Sequence, residues 1–372
     1  MRLVEPFDVV LDHLVGDREL ERAEILARIH VRRHHECDPP GRAPAAVTCL
    51  LIQQTHDVGK SLAVVLDERA RHHYVCAYVR AWAIEPREDQ VITDTPTLRP
   101  IGGTFAAEAL GIEVAQPLDG GTLAWIEQAF ADHPVLVFRD QDLGPAALAA
   151  FGRCFGKPKL HSLVDYRHAE YPEVSWLTNV DKDGNVDWFG VKRATDWHTD
   201  SPYEDEPPRL AILHAKEVPS SKGGTMFADM RAAYDALSGE MKQRLASMVG
   251  LHGRHDGPAG IRLYKGDPDQ RIDRAYPEKA RPAVVTHPVT GRPILFVNPL
   301  HTHGFQGMPR DEAWTLIEEL AEHSTRDQFI YYHQWRVGDV LMWDELATMH
   351  RGAGDYRPDE RRVLLRTIVY SK

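Results

Sequence analysis

The sequence predicts a mainly β domain, a sandwich or jelly roll with flanking helices, preceded by an N-terminal extension of unknown fold. Three observations carry that expectation. After residue 170 the chain breaks into many short apolar runs bounded by Gly, Pro or Asp, the pattern of short strands joined by turns. Two helical patterns interrupt those runs, whereas a parallel α/β sheet alternates strands and helices throughout. No Gly-rich phosphate loop follows any run, so a nucleotide-binding sheet has little support.

Residues 1–95 form the extension and residues 96–372 the main domain. The polar stretch 93–100 (TDTPTLRP) joins them, and its two prolines suit a linker. Residues 124–131 and 146–155 carry apolar side chains at three- and four-residue spacing and read as helices. Between them, 135–138 is a short buried strand. Further strands are expected at 174–177, 210–213, 284–286, 294–297, 329–332, 340–343 and 363–369. Helices are expected at 241–249 and 311–322.

Composition bounds the function. With 43% hydrophobic and 27% charged residues among 372, the chain is ordinary globular protein. A formal charge of −11 argues against general binding to nucleic acid or anionic membranes, which calls for a basic surface. An anionic ligand therefore needs a local cluster of Arg or Lys. No run approaches the roughly 18 consecutive apolar residues of a membrane span. The acid-interrupted N-terminus lacks the order of a secretory signal. Cys37, Cys49, Cys76 and Cys154 are too few for a disulfide framework. A reduced, cytoplasmic protein is expected, and a homo-oligomer is compatible with it.

The segment Asp196–Trp197–His198–Thr199–Asp200 places an imidazole and a carboxylate at i and i+2, on one face of an extended chain. Spacing alone is weak: with 20 His and 55 acids, chance gives about three His-x-acid triplets, and they occur at His34, His168 and His198. The segment from Met342 to Gly352 alters the weighing. There a strand leads through a polar bend to His350, which can approach from another strand. Two His and one carboxylate on one face of iron leave three positions open, enough for a bidentate 2-oxo acid and dioxygen. A catalytic zinc site usually keeps one.

Beyond His350 the chain turns and returns as Arg361–Arg362–Val363–Leu364–Leu365–Arg366–Thr367. On a strand Arg362, Leu364 and Arg366 share a face, with the two arginines roughly 13 Å apart. Inward guanidinium groups call for carboxylate-like partners. Two of them near a metal imply two anions, a co-substrate and a substrate. A solvated edge is the blander reading, which the intervening Val–Leu–Leu disfavours.

From about Leu98 to the C-terminus the chain resembles the taurine dioxygenase and 2,4-dichlorophenoxyacetate dioxygenase family of iron(II)/2-oxoglutarate enzymes. The resemblance runs through Trp197–His–Thr–Asp200, the stretch from Gly223 to Leu237, Thr286 to Arg292 with Phe296–Val–Asn298, Trp335 to Asp344, and His350 to Arg366. It implies a distorted jelly roll, the double-stranded β-helix, with helices outside. It makes His198, Asp200 and His350 the iron ligands and catalytic centre. It assigns Thr225 and Arg362 to the distal carboxylate of 2-oxoglutarate and Arg366 to an anionic substrate. His161 falls where some members place a substrate-contacting histidine, and a surface residue is an equal alternative. The implied reaction consumes dioxygen and 2-oxoglutarate, hydroxylates a substrate C–H, and releases succinate and carbon dioxide. Asp200 argues against halogenation, which needs that carboxylate position vacant for halide.

The chain departs from the family in three places. The turn before Arg361 and Arg362 is one residue longer than in the taurine enzyme, which leaves the choice between them open. His301–Thr–His303 is an additional His-x-His in a loop expected to face the substrate, where a metal role is allowed but a surface loop is favoured. The extension matches nothing in the family. Its His34, His35, Cys37, Cys49, His72, His73 and Cys76 allow a zinc site, but their spacing suits a helical appendage or a start codon assigned too far upstream. Two rival functions are a jelly-roll protein that binds metal or small acids without turnover, and a zinc hydrolase. No candidate general base like the Glu of a His-Glu-x-x-His helix is present.

Overall fold

The computed structural model describes residues 48–51, 63–66, 95–161, 164–192, 194–253 and 278–371. The chain divides into two compact units between Ile92 and Thr93. In the first, β1 (Thr48–Leu51) and β2 (Ala63–Leu66) form an antiparallel ladder with Thr48 opposite Leu66. The His and Cys side chains of the suggested zinc site lie outside the described residues.

The second unit begins with β3 (Thr97–Pro100) and β4 (Ala106–Leu110), then α1 (Gly120–Asp132), β5 (Val135–Phe138) and α2 (Pro145–Phe155). Next come β6 (Lys157–Pro158), β7 (Val174–Thr178), α3 (Trp188–Lys192), β8 (Leu210–Glu217), β9 (Thr225–Asp229), α4 (Met230–Asp235) and α5 (Gly239–Leu245). The strands β10 (Val249–His252), β11 (Lys279–Pro282), β12 (Val284–Thr286), β13 (Pro293–Leu295) and β14 (Thr302–Phe305) lead to α6 (Arg310–Ser324). Four strands complete it: β15 (Ile330–His333), β16 (Val340–Asp344), β17 (Thr348–Gly352) and β18 (Val363–Tyr370).

A large sheet runs β3-β4-β5-β16-β8-β18-β6, with β7 also paired to β18. A smaller one runs β15-β9-β17. Strand parity explains how they stack. Along β16, Val340 and Met342 join Ile126 and Phe130 of α1 and Leu148 and Phe151 of α2 in one core cluster. The alternate residues, Leu341 and Trp343, face Phe227 and Tyr331 of the smaller sheet in another. Helices thus cover one face of the large sheet, and the smaller sheet covers the other. Both faces being buried, β16 is apolar from Val340 to Trp343 rather than alternating. The far side of the smaller sheet, with Ala228 and Met349, packs on Leu316, Ile317 and Leu320 of α6. The result is the jelly roll with outer helices that the sequence predicts.

Three local expectations are corrected. Residues 97–100, assigned to a linker, form an edge strand antiparallel to β4. Its prolines are tolerated because an edge strand leaves one row of N–H groups unused. The helix expected at 241–249 ends at Leu245, and Val249 opens β10. Residue 329 closes a short 3-10 turn, so that strand starts at Ile330.

Gly156 links α2 to β6 with φ at 154°. A Cβ there would lie 2.0 Å from the Tyr370 carbonyl oxygen on β18. Gly156→Ala is expected to lose about 1–3 kcal/mol of stability, read as a lower denaturant midpoint with the slope unchanged.

Candidate metal centre

His198 lies on extended chain between α3 and β8, and its backbone forms an isolated antiparallel bridge with His350 of β17. Its N–H donates to the His350 carbonyl at 3.0 Å, and the return bond is 2.8 Å. That bridge sets the two imidazole centroids 4.2 Å apart. His350 faces the interior because its neighbour Met349 fills the outer core against α6. Asp200, two residues beyond His198, brings its Oδ1 to 3.7 Å from His198 Nε2. One donor atom from each of His198, Asp200 and His350 lies within 4.8 Å of the others.

The protonation states suit a cation. His198 Nδ1 donates to the Asp196 carbonyl at 2.7 Å, which leaves Nε2 as the lone-pair nitrogen facing Asp200. Burial, and then the His198 ring, holds His350 well below the usual histidine range, so it is a neutral ligand. Burial alone would raise the Asp200 carboxyl. Arg366 above all, with His350, His198 and Lys159, outweighs it and keeps Asp200 ionised. Behind the triad, fully buried Glu345 accepts the Asp200 N–H at 2.9 Å, and its Oε2 is 4.0 Å from His350 Nδ1. Burial, then the Asp200 charge, pushes Glu345 well above the carboxylate range. The centre therefore presents two imidazoles and one carboxylate, a donor set that fits iron(II) with further positions open.

Beside it lies a cavity lined by Thr225, Trp343, His350, Tyr356, Arg362 and Arg366 among others. Arg366 shares the face of β18 that carries Leu364 into the space between the sheets, and Arg362 directly precedes the strand. Thr225 shares the inward face of β9 with Phe227. Arg362 is buried; its Nε donates to the Gly223 carbonyl at 2.8 Å and its Nη2 to Thr225 Oγ1 at 3.3 Å. Arg361 points to solvent and makes a two-pronged ion pair with Glu217. Arg366 Nη1 meets Asp200 Oδ2 at 3.3 Å, and its Nε is buried with no acceptor.

The structure thus gathers six of the seven sequence-derived site residues: the three donors, Thr225, Arg362 and Arg366. His161 is half-buried after β6, edge-on to Tyr166 at 6.5 Å, and is not among the cavity-lining residues. The triplet at His168 caps a turn, accepting the Glu170 and Tyr171 N–H groups. His301 corrects the surface-loop reading. It is buried, edge-on to His198 at 6.2 Å and to Tyr203 at 5.1 Å, though outside the donor cluster. His303 pairs with Glu278 at 2.9 Å. Sequence reasoning missed Glu345, Tyr356 and buried Lys159. The last holds the turn after Asp200 through Ser201 at 2.6 Å and Glu204 at 2.7 Å. Two adjacent acids, Asp344 and Glu345, directly after the apolar run Val340–Trp343 were the available signal for Glu345.

Comparison with known proteins agrees with this geometry. The model of the taurine catabolism dioxygenase TauD, TfdA family matches residues 97–368. The alpha-ketoglutarate-dependent 2,4-dichlorophenoxyacetate dioxygenase of Cupriavidus pinatubonensis is 35% identical over 281 residues, covering 73% of this chain and 96% of the relative. The (S)-phenoxypropionate/alpha-ketoglutarate-dioxygenase of Sphingobium herbicidovorans is 31% identical, covering 72% and 92%. Among solved structures, AAD-2 in complex with Mn(II) and N-oxalylglycine superposes with a TM-score of 0.65 at 29% identity, covering 75% and 98%.

Proposed function

Because the chain belongs to the taurine catabolism dioxygenase TauD, TfdA family, we propose that His198, Asp200 and His350 hold the iron of an iron(II)- and 2-oxoglutarate-dependent dioxygenase. When bound, the metal with 2-oxoglutarate and dioxygen supplies the oxidation that hydroxylates a substrate C–H. The protein's residues bind, orient and keep the site dry. Arg362 and Thr225 anchor the distal carboxylate of 2-oxoglutarate. Buried Leu213 and Trp343 line the same cavity and exclude water, which strengthens the charge-assisted bonds inside. Glu345, neutral, steadies the Asp200 backbone without adding a second negative charge.

The substrate is a small carboxylic acid with an apolar body, bound at Arg366. One observation carries this: Arg366 Nε is buried without an acceptor beside the metal donors, in a protein of charge −11 that has no general attraction for anions. An acyclic or aryloxy acid fits, and both relatives described above are named for aryloxyalkanoates. The activity belongs to residues 96–372, with residues 1–95 a separate extension, supported by a family match that begins at residue 97.

A screen of aryloxyalkanoates, sulfonates and sulfate esters for substrate-stimulated succinate finds the substrate class. Comparing its best acid with the neutral amide or ester then tests Arg366. Arg366→Gln is expected to lose most of the preference for the acid while its anaerobic iron–2-oxoglutarate complex still forms. If both proteins prefer the neutral analogue, Arg366 is structural and the anionic-substrate reading fails.

A further inference from the structure

The Thr225 hydroxyl has two lone pairs and one hydrogen, and both lone pairs are taken. Trp335 Nε1 donates to Oγ1 at 3.0 Å, and Arg362 Nη2 donates to it at 3.3 Å. Neither partner can accept a hydrogen bond in return, since an indole N–H and a guanidinium are donors only. The hydroxyl hydrogen must then leave along the remaining direction, from a residue that lines the cavity. Arg362 is similarly committed, its Nε being spent on the Gly223 carbonyl, so its remaining N–H groups are donors as well.

Trp335 is held from behind. It is 3% exposed, and its ring stands edge-on to His333 at 4.4 Å. His333 is fixed on both nitrogens, by Tyr331 Oη at 2.8 Å and Asp339 Oδ2 at 3.1 Å. Asp339 in turn accepts from Arg139 at 2.6 Å, and Arg139 reaches Glu108 at 2.9 Å. This polar chain touches no reacting group; it holds the His333 ring against the indole whose Nε1 bonds the Thr225 hydroxyl.

We propose that Trp335 is a positioning residue that locks the Thr225 hydroxyl as a donor, so that this end of the cavity accepts only a ligand terminus made of acceptors. A carboxylate satisfies it; a carboxamide, which brings its own N–H groups, does not. The inference rests on the reading that Arg362 and Thr225 hold the distal carboxylate of 2-oxoglutarate. With the indole N–H gone, the hydroxyl regains a lone pair, can turn, and can accept from an amide.

The test uses the full-length iron enzyme and compares 2-oxoglutarate with 2-oxoglutaramate, its distal amide, and with pyruvate, which lacks the distal group. Trp335→Phe keeps an aromatic ring and removes the donor. It is expected to raise KM for 2-oxoglutarate about five- to tenfold, the scale of one neutral hydrogen bond, with a far smaller change in kcat. Its preference for the acid over the amide should narrow, and its use of pyruvate should match wild type. In a Thr225→Val background, Trp335→Phe should add nothing, because no hydroxyl remains to orient. Effects of the two changes that simply add, or a Trp335→Phe loss equally large with pyruvate, overturn the proposal. If Arg362→Ala itself leaves KM for 2-oxoglutarate unchanged, the underlying reading falls instead.

Discussion

His350→Ala abolishes the visible charge-transfer band that iron(II) and 2-oxoglutarate form together without oxygen, and lowers turnover by on the order of a thousandfold or more. The expectation follows from the geometry of the bridge. On the proposed ligand set His350 contributes one of the three donor atoms gathered among the described residues, and burial, then His198, holds its ring neutral. Alanine leaves the ring's volume empty between Phe227, Trp343 and His198, all within 6.2 Å of its centroid, so some stability is lost too. Circular dichroism on the metal-free variant separates that loss from loss of the metal. His198→Ala should behave alike. A variant that keeps the band at wild-type iron affinity would remove His350 from the ligand set.

Arg362→Ala has the second largest expected effect, on the demand for 2-oxoglutarate rather than for the prime substrate. Removing one partner of a buried charge-assisted pair costs about 2–5 kcal/mol, much of it from stranding the other charge. That corresponds to roughly thirty- to several-thousandfold in apparent affinity. Arg361→Ala is the internal control. Its pair with Glu217 lies in solvent, where such pairs are weak, so co-substrate affinity should hardly move. Titrating 2-oxoglutarate against the anaerobic band measures both variants on one scale. A large effect at Arg361 with none at Arg362 would mean that the strand register assigned to β18 is wrong.

Much of this was legible in the sequence because strand chemistry repeats every two residues. His198 with Asp200, and Arg362 with Arg366, are pairs whose common face follows from extended chain alone. The family resemblance supplied what parity cannot, namely that the two pairs meet. What escaped depended on partners distant in sequence. The β4 segment Ala106–Leu110 is Ala-, Glu- and Leu-rich and has weak strand propensity; parallel pairing with β5 overrides it. Glu345 reads as one more acid in a turn until the fold buries it behind Asp200. Trp335 reads as core, which it is, and only its 3.0 Å bond to Thr225 gives it a second role. For His301 the substrate-facing side of the reading stands nearer the structure than the surface loop preferred to a metal role, since the loop folds inward beside His198.

The bridge between His198 and His350 also bears on how the chain reaches its native state. The Thr199 hydroxyl donates to the Thr348 carbonyl across 149 residues of sequence, and the metal donors meet at that same closure. Local contacts cannot build such a site: His198 and Asp200 alone offer two donors, too few for tight capture. Closing so long a loop early is entropically costly, and folds dominated by such distant pairings form slowly. On the proposed ligand set, metal capture is therefore expected to follow closure of the bridge rather than to seed folding, so the metal-free protein should keep the circular dichroism spectrum of the metal-loaded one.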